Sequence, residues 1–180
     1  SPPSFEAWVN ALRRQDLEVT GESVTGQGLG FSSVLEWVEN DGSFGDAFSY
    51  GTVTPAEQRT VAAAASALVL HVPVYLAASR APMARLLSKL ARAGGLAARL
   101  EQSKLGWTIP RWVEVLEGYD PSALYRCAVV VLTDAGGARS CGMHAFGCPD
   151  AQVHDEARPA NVLIGALNTY QFAEQPVLVS

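Results

Sequence analysis

The sequence predicts an α/β (α+β) fold, a single domain in which a mixed, mostly antiparallel sheet is covered by helices. Three observations carry that expectation. Segments with apolar residues three and four apart alternate along the chain with short apolar or alternating runs, the pattern of helices laid on a sheet. The 180 residues are 48% hydrophobic and only 17% charged, which excludes a disordered, solvating chain and asks for elements packed on more than one face. Turn residues at 134–137 between two apolar runs mark a hairpin, so at least one strand pair is antiparallel. A chain of this length forms one core and buries about two-thirds of the surface it exposes when unfolded.

Ser4 is a natural N-cap ahead of Phe5, Trp8, Val9 and Leu12, whose spacing predicts a helix to about residue 15. Residues 17–20 alternate like a short strand, and Gly21, Gly26, Gly28 and Gly30 punctuate the stretch after it. Over 31–38 a helix is expected: Ser33 and Glu36 form a capping-box pattern and Phe31, Val34, Leu35 and Val38 share a face, although Trp37 and the valines also suit a strand. A glycine-rich turn at 40–51 holds an extended piece at 47–53. Thr54 then caps and Pro55 opens a second helix, Ala-rich over 57–68.

Residues 70–77 read as a buried strand, with Pro73 marking an edge or a bulge. The third helix, 82–93, carries Met83, Leu86, Leu87 and Leu90 on one stripe, and Gly94 and Gly95 end it. Next come a short strand at 96–100, a loop through Lys104, Gly106 and Trp107, and a helix at 110–116. The Val-rich run 124–132 has the composition of a central strand, with 139–146 as its antiparallel return. A last helix spans 159–172, and 176–179 reads as a final strand that the chain cuts short.

Composition also excludes function classes. The net charge is -5, and the thirteen Lys and Arg are scattered except around 80–99, so no basic stripe tracks nucleic acid. No run approaches the roughly 18 apolar residues of a membrane span; 61–78 is broken by His71 and Pro73. The opening SPPSFEAW has neither the basic nor the apolar region of a secretion signal, and three cysteines are too few for a disulfide framework. The expectation is a cytoplasmic protein with reduced thiols.

Cys141, His144 and Cys148, with His154 nearby, have the residue types of a zinc site. On a strand over 139–147, however, Cys141 and His144 point to opposite faces, and His144 and Cys148 stand roughly 13 Å apart, so no metal or cofactor is expected. Core packing suits the cysteines better. The same residues supply the enzymatic alternative, Cys148 or Cys141 as nucleophile with His144 or His71 as base, in a small hydrolase or transferase. Neither cysteine clearly opens a helix that would lower its pKa. The Gly26, Gly28, Gly30 series lacks the ending of a phosphate-binding loop, and no Gly-x-Ser-x-Gly elbow occurs. Arg99, Glu101, Lys104 and Trp107 gather charge and an aromatic in one loop, the composition of a binding surface.

The C-terminal two-thirds resemble a known pattern. The helix from Pro55, the strand at 70–78, the piece GLAARLEQSKLGWTIPRW at 95–112, the strand at 124–132, the Gly142-Met-His-Ala-Phe-Gly-Cys-Pro-Asp150 turn and the helix with Asn168 and Tyr170 together are similar to the bacterial family catalogued as domain of unknown function 4261. The resemblance implies an α/β fold, with no established activity, catalytic residue or cofactor. It also implies that the chain stops just before a glycine-containing C-terminal strand, and a setting beside bacterial toxins and their immunity partners. The expectation drawn from all of this is a non-enzymatic protein-binding domain. Its partner is a toxin or effector, met by an acidic surface and by Trp37, Trp107 and Trp112 read as exposed. Homodimerisation through an apolar patch is the remaining alternative.

Overall fold

In the computed structural model, residues 1–50, 52–118, 120–154 and 159–174 are described. Ser4 accepts a hydrogen bond from the Ala7 amide and opens α1 (Phe5–Arg13), which buries Trp8, Ala11 and Leu12. α1 packs on β1 (Leu17–Thr20), the first strand of an antiparallel sheet ordered β1, β2 (Ser23–Gly26), β3 (Ser33–Glu39) and β4 (Ser66–His71). The glycine-punctuated stretch thus contains a strand, β2, that its composition hides. The helix expected over 31–38 is also a strand. Ser33 and Leu35 are buried while Val34 and Glu36 face outward, and six consecutive residues pair with β4. That ladder outweighs the local capping pattern.

The Thr54 capping box is real: Thr54 and Glu57 bond reciprocally at the start of α2 (Pro55–Ala62). The helix ends six residues earlier than its Ala-rich composition suggests, because the chain from Ser66 is drawn into β4. The strand expected at 70–77 is therefore displaced and ends before Pro73. Among the described residues, the extended piece expected at 47–53 is replaced by one 3-10 turn, Asp46–Phe48. α3 (Arg80–Arg92) buries Ala84, Leu86, Leu87 and Leu90, and lies against α4 (Ile109–Glu117), which buries Trp112 and Leu116. A two-stranded hairpin, β5 (Ala97–Arg99) and β6 (Gly106–Thr108), sits between them in sequence.

The apolar run at 124–132 is divided. Asp120 accepts from the Ser122 amide at 2.8 Å and Pro121 takes the first helical position, so the run begins as α5 (Pro121–Ala128) and continues as β7 (Val130–Asp134). A continuous apolar stretch does not distinguish a buried helix from a buried strand, and the cap upstream decides it. β7 is an edge of the third sheet, β7, β8 (Gly137–Cys141), β9 (Gln152–Val153), and its last three residues are exposed. The hairpin at 134–137 is where the sequence places it. α6 (Ala160–Glu174) closes over this sheet. The strand expected at 176–179 lies outside the described residues.

The architecture is thus α/β with antiparallel pairing, divided among three small sheets. Leu12, Leu35, Leu86, Trp112, Leu124 and Met143 belong to one continuous set of buried side chains. Among the described residues, no helix is long and apolar enough to cross a membrane.

Three indoles tie these elements together. Trp8 donates to the Ser66 hydroxyl at 2.8 Å, Trp107 to the Cys127 carbonyl at 3.0 Å and Trp112 to the Ala98 carbonyl at 2.9 Å. Ser66 in turn donates to the Pro2 carbonyl, so one buried hydroxyl joins α1, β4 and the N-terminal residues. Replacing it leaves the indole N–H without a partner in the core. Ser66→Ala is expected to lower the free energy of unfolding by about 1–3 kcal/mol, measured by urea denaturation.

Candidate functional site

The segment that most invites a chemical reading is built around backbone geometry. β8 ends at Cys141. Gly142 then takes φ +113°, a 3-10 turn runs over Met143–Phe146, and Gly147 takes φ +77°. A Cβ at Gly142 would overlap the Ala128 carbonyl oxygen, and one at Gly147 would lie 3.2 Å from the Tyr75 ring. Both positions need a residue without a side chain. Asp150 accepts from the Met143 amide at 2.9 Å, Leu76 donates to the Ala145 carbonyl at 2.7 Å, and the buried Ser140 hydroxyl accepts from the Ala151 amide at 2.9 Å. The turn is held from three sides.

This geometry revises the alternation expected over 139–147: strand periodicity stops at Cys141, so opposite faces no longer describe Cys141 and His144. The two cysteines and the histidine are nonetheless directed to different surroundings. His144 is exposed, with Nε2 3.6 Å from Asp150. Cys148 is buried and its thiol faces the Gln171 carbonyl at 3.6 Å. Cys141 is half-buried on β8, and all three cysteines, Cys127 included, are free thiols. Burial pushes the Cys148 thiol up from its ordinary value. It does the same to Cys127, against the opposing pull of Arg111 and Arg126. A raised thiol pKa is the reverse of what activates a nucleophile. Among the described residues, no group of three His, Cys, Asp or Glu side chains stands close enough to hold a metal ion.

The second candidate cluster forms on the β5–β6 hairpin. Arg99 and Lys104 both donate to Glu101 at 2.5 Å, and Arg99 also reaches the Ala47 carbonyl. Burial acts to raise the Glu101 pKa, but hydrogen bonds from Lys104 and Arg99 outweigh it and leave it lowered. Trp107 does not join this surface. Its ring is half-buried and its N–H is committed to the Cys127 carbonyl. Trp112 is fully inside, and the Trp37 N–H is buried without a partner among the described residues. The tryptophans read as exposed are structural, because an indole on a half-buried strand or helix contributes more by packing than by display.

The surface that sequence reasoning missed is α6. Ile164, Asn168 and Gln171 face inward, and Phe172 packs edge-on against Phe146 at 4.8 Å. Asn168 donates to the Tyr125 hydroxyl at 2.9 Å, while its own oxygen and that of Gln171 have no partner among the described residues. Facing outward are Val162, 62% exposed, Leu167 and Tyr170, 55% exposed. The helix thus turns two amides toward the core and three large apolar side chains toward solvent. The signal was present: no charged residue occurs between Ala160 and Phe172, and large apolar residues fall on more than one side of the helix.

The chain matches no family model, and no curated protein or solved structure matches it. The chemistry of the site is therefore read from its own geometry.

Two thiols buried in this way should be slow to react. Cys141 is expected to take iodoacetamide first, with Cys127 and Cys148 labelled only as fast as the chain opens, read by mass spectrometry of the folded protein. The raised thiol pKa of Cys148 means that its neutral form favours the fold. That contribution is complete below pH 9.0, the ordinary thiol value, and is lost as pH rises through the folded value. Gly142→Ala is expected to cost about 3 kcal/mol in unfolding free energy, since it combines strained backbone with a blocked Cβ.

Proposed function

We propose that this chain is a non-enzymatic protein-binding domain, an immunity or accessory protein that covers a toxin or effector in the cytoplasm. One observation carries the reading: α6 presents Val162, Leu167 and Tyr170 outward from a helix that carries no charge between Ala160 and Phe172. Large apolar side chains grouped on the outer face of an uncharged helix mark a contact surface, and the missing layer is a partner. The opposite side of α6 supports the same view. Its inner face is anchored on Phe146 and Tyr125, so the outer face is held in place for docking.

The enzymatic alternative, with Cys148 or Cys141 attacking and His144 as base, draws less support. Cys148 is buried with a raised pKa, and His144 is turned to Asp150. The resemblance to the bacterial family of unknown function supports the immunity setting.

The test is purification of the tagged chain from its native host, beside a Val162→Asp variant whose fold is verified by circular dichroism. One partner protein is expected to be retained in stoichiometric amount by the native chain and reduced at least about tenfold by the variant, since a charge placed in a desolvated contact costs several kcal/mol. Equal retention by both chains, or no retained protein, contradicts the proposal. A doubled mass without any partner, abolished by Val162→Asp, assigns the face to a second copy of the chain instead.

A further inference from the structure

A second surface lies on the free edge of β1, beside an open groove of about 750 Å³ lined by Arg13, Leu17, Val19, Thr25 and Gln27 among others. The register fixes which backbone groups face it. Leu35 donates to the Glu22 carbonyl, and Val24 stands opposite Ser33, so the Val24 backbone groups point to β3. Those of Ser23 and Thr25 then point to β1, where they meet Thr20 and Glu18. By the same alternation the N–H and C=O groups of Leu17 and Val19 point away from the sheet. Arg13 confirms the direction, since its guanidinium donates to the Val19 carbonyl at 3.1 Å on that side. Among the described residues, no strand takes up the remaining groups.

Of the charged groups, Arg13 lines the groove together with two carboxylates, and four further cations stand around it. Arg13 and Arg14 are exposed at the end of α1. Lys89 donates to the Gln15 carbonyl, Arg92 to the Gln15 side chain at 2.9 Å, and Arg85 lies over Gly28 in the neighbouring turn. Asp16 and Glu18 are the carboxylates that line the groove. None of these five cations joins an ion pair among the described residues, although the chain carries a net charge of -5. Lys89 is bonded to backbone carbonyls just beyond α1, Arg13 to the Val19 carbonyl on the β1 edge, and Arg92 to the Gln15 side chain. A guanidinium has five donors and an ammonium three, so among the described residues Arg13 and Arg92 keep four each, and Lys89, which also reaches the Asp16 carbonyl at 3.5 Å, keeps one.

We infer that this edge binds an extended, acidic peptide segment of a partner protein. The segment adds a strand antiparallel or parallel to β1, its backbone pairs with Leu17 and Val19, and its carboxylates meet Arg13 and Lys89. A nucleic acid would also meet the cations but would leave the strand-edge groups unpaired. The inference rests on the reading of the chain as a protein-binding domain, at a surface other than α6.

The probe is a fluorescein-labelled, blocked peptide of alternating Val and Glu, six residues long, followed by fluorescence anisotropy. Binding is expected to be at least about tenfold tighter than for the same peptide with Lys in place of Glu, and to weaken at least about fivefold in roughly 0.5 M salt. Arg13→Gln and Lys89→Gln, each verified as folded, are expected to weaken it at least about fivefold, while Arg59→Gln leaves it unchanged. Methylating alternate peptide nitrogens should abolish it, and the amide resonances of Leu17 and Val19 should shift. No binding at millimolar peptide, equal binding of the Lys peptide, insensitivity to methylation, or tighter binding of a twelve-residue thymidine oligonucleotide overturns the inference. Val162→Asp leaves this binding intact, so failure here and failure of the α6 reading are separable.

Discussion

Position 142 has no room for a side chain, and much of the C-terminal half is arranged by that constraint. The Gly142 backbone lies against the last carbonyl of α5, close to Ser103 on the β5–β6 hairpin. Because the contact is made by backbone, α5 must end at Ala128, β7 must start just beyond it, and β8 must stop at Cys141. The chain then turns through Met143–Phe146, burying Met143 completely and placing Phe146 under α6. Asp150 and Leu76 fix the turn from either side. Within this turn Cys148 fills space beneath α6, and His144 faces solvent.

α6 inherits its orientation from the same packing. Phe172 meets Phe146 and Tyr125, and those ring contacts decide which side of the helix faces in. Asn168 and Gln171 are carried inward with it, each with an acceptor that has no partner among the described residues. A buried acceptor left unpaired opposes folding, so the orientation is held by aromatic and aliphatic contacts against a polar cost. The consequence is an outer surface of Val162, Leu167 and Tyr170. The charge distribution is uneven in a related way: beside β1, Arg85, Lys89 and Arg92 of α3 stand around a groove lined by Arg13, Asp16 and Glu18, in a chain that is acidic overall.

Much of the fold was legible wherever caps and spacing agreed. Ser4 opens α1, Thr54 with Pro55 opens α2, and the Leu86, Leu87, Leu90 stripe defines α3. Legibility failed where a tertiary partner decided. β3 carries a capping-box pattern that its pairing with β4 overrides, and β2 has a composition of turn residues but a neighbour on each side. The run at 124–132 is apolar in both its helical and its extended parts, so only Asp120 and Pro121 marked the division. Of the candidate site residues, Arg99, Glu101 and Lys104 do form one cluster. Trp107 does not, because nothing in the sequence revealed that the Cys127 carbonyl would receive its indole. The uncharged stretch of α6 was visible, but which of its residues are exposed depends on which side Phe172 chooses.

The most direct measurement of this account is hydrogen exchange by mass spectrometry on the chain alone and on its complex purified from the native host. Docking on α6 predicts slower exchange across Ala160–Glu174 in the complex, with the turn at 142–150 unchanged. Slowing confined to 142–150, around His144 and Cys148, with α6 unchanged, would contradict it and return that turn to consideration as the functional site.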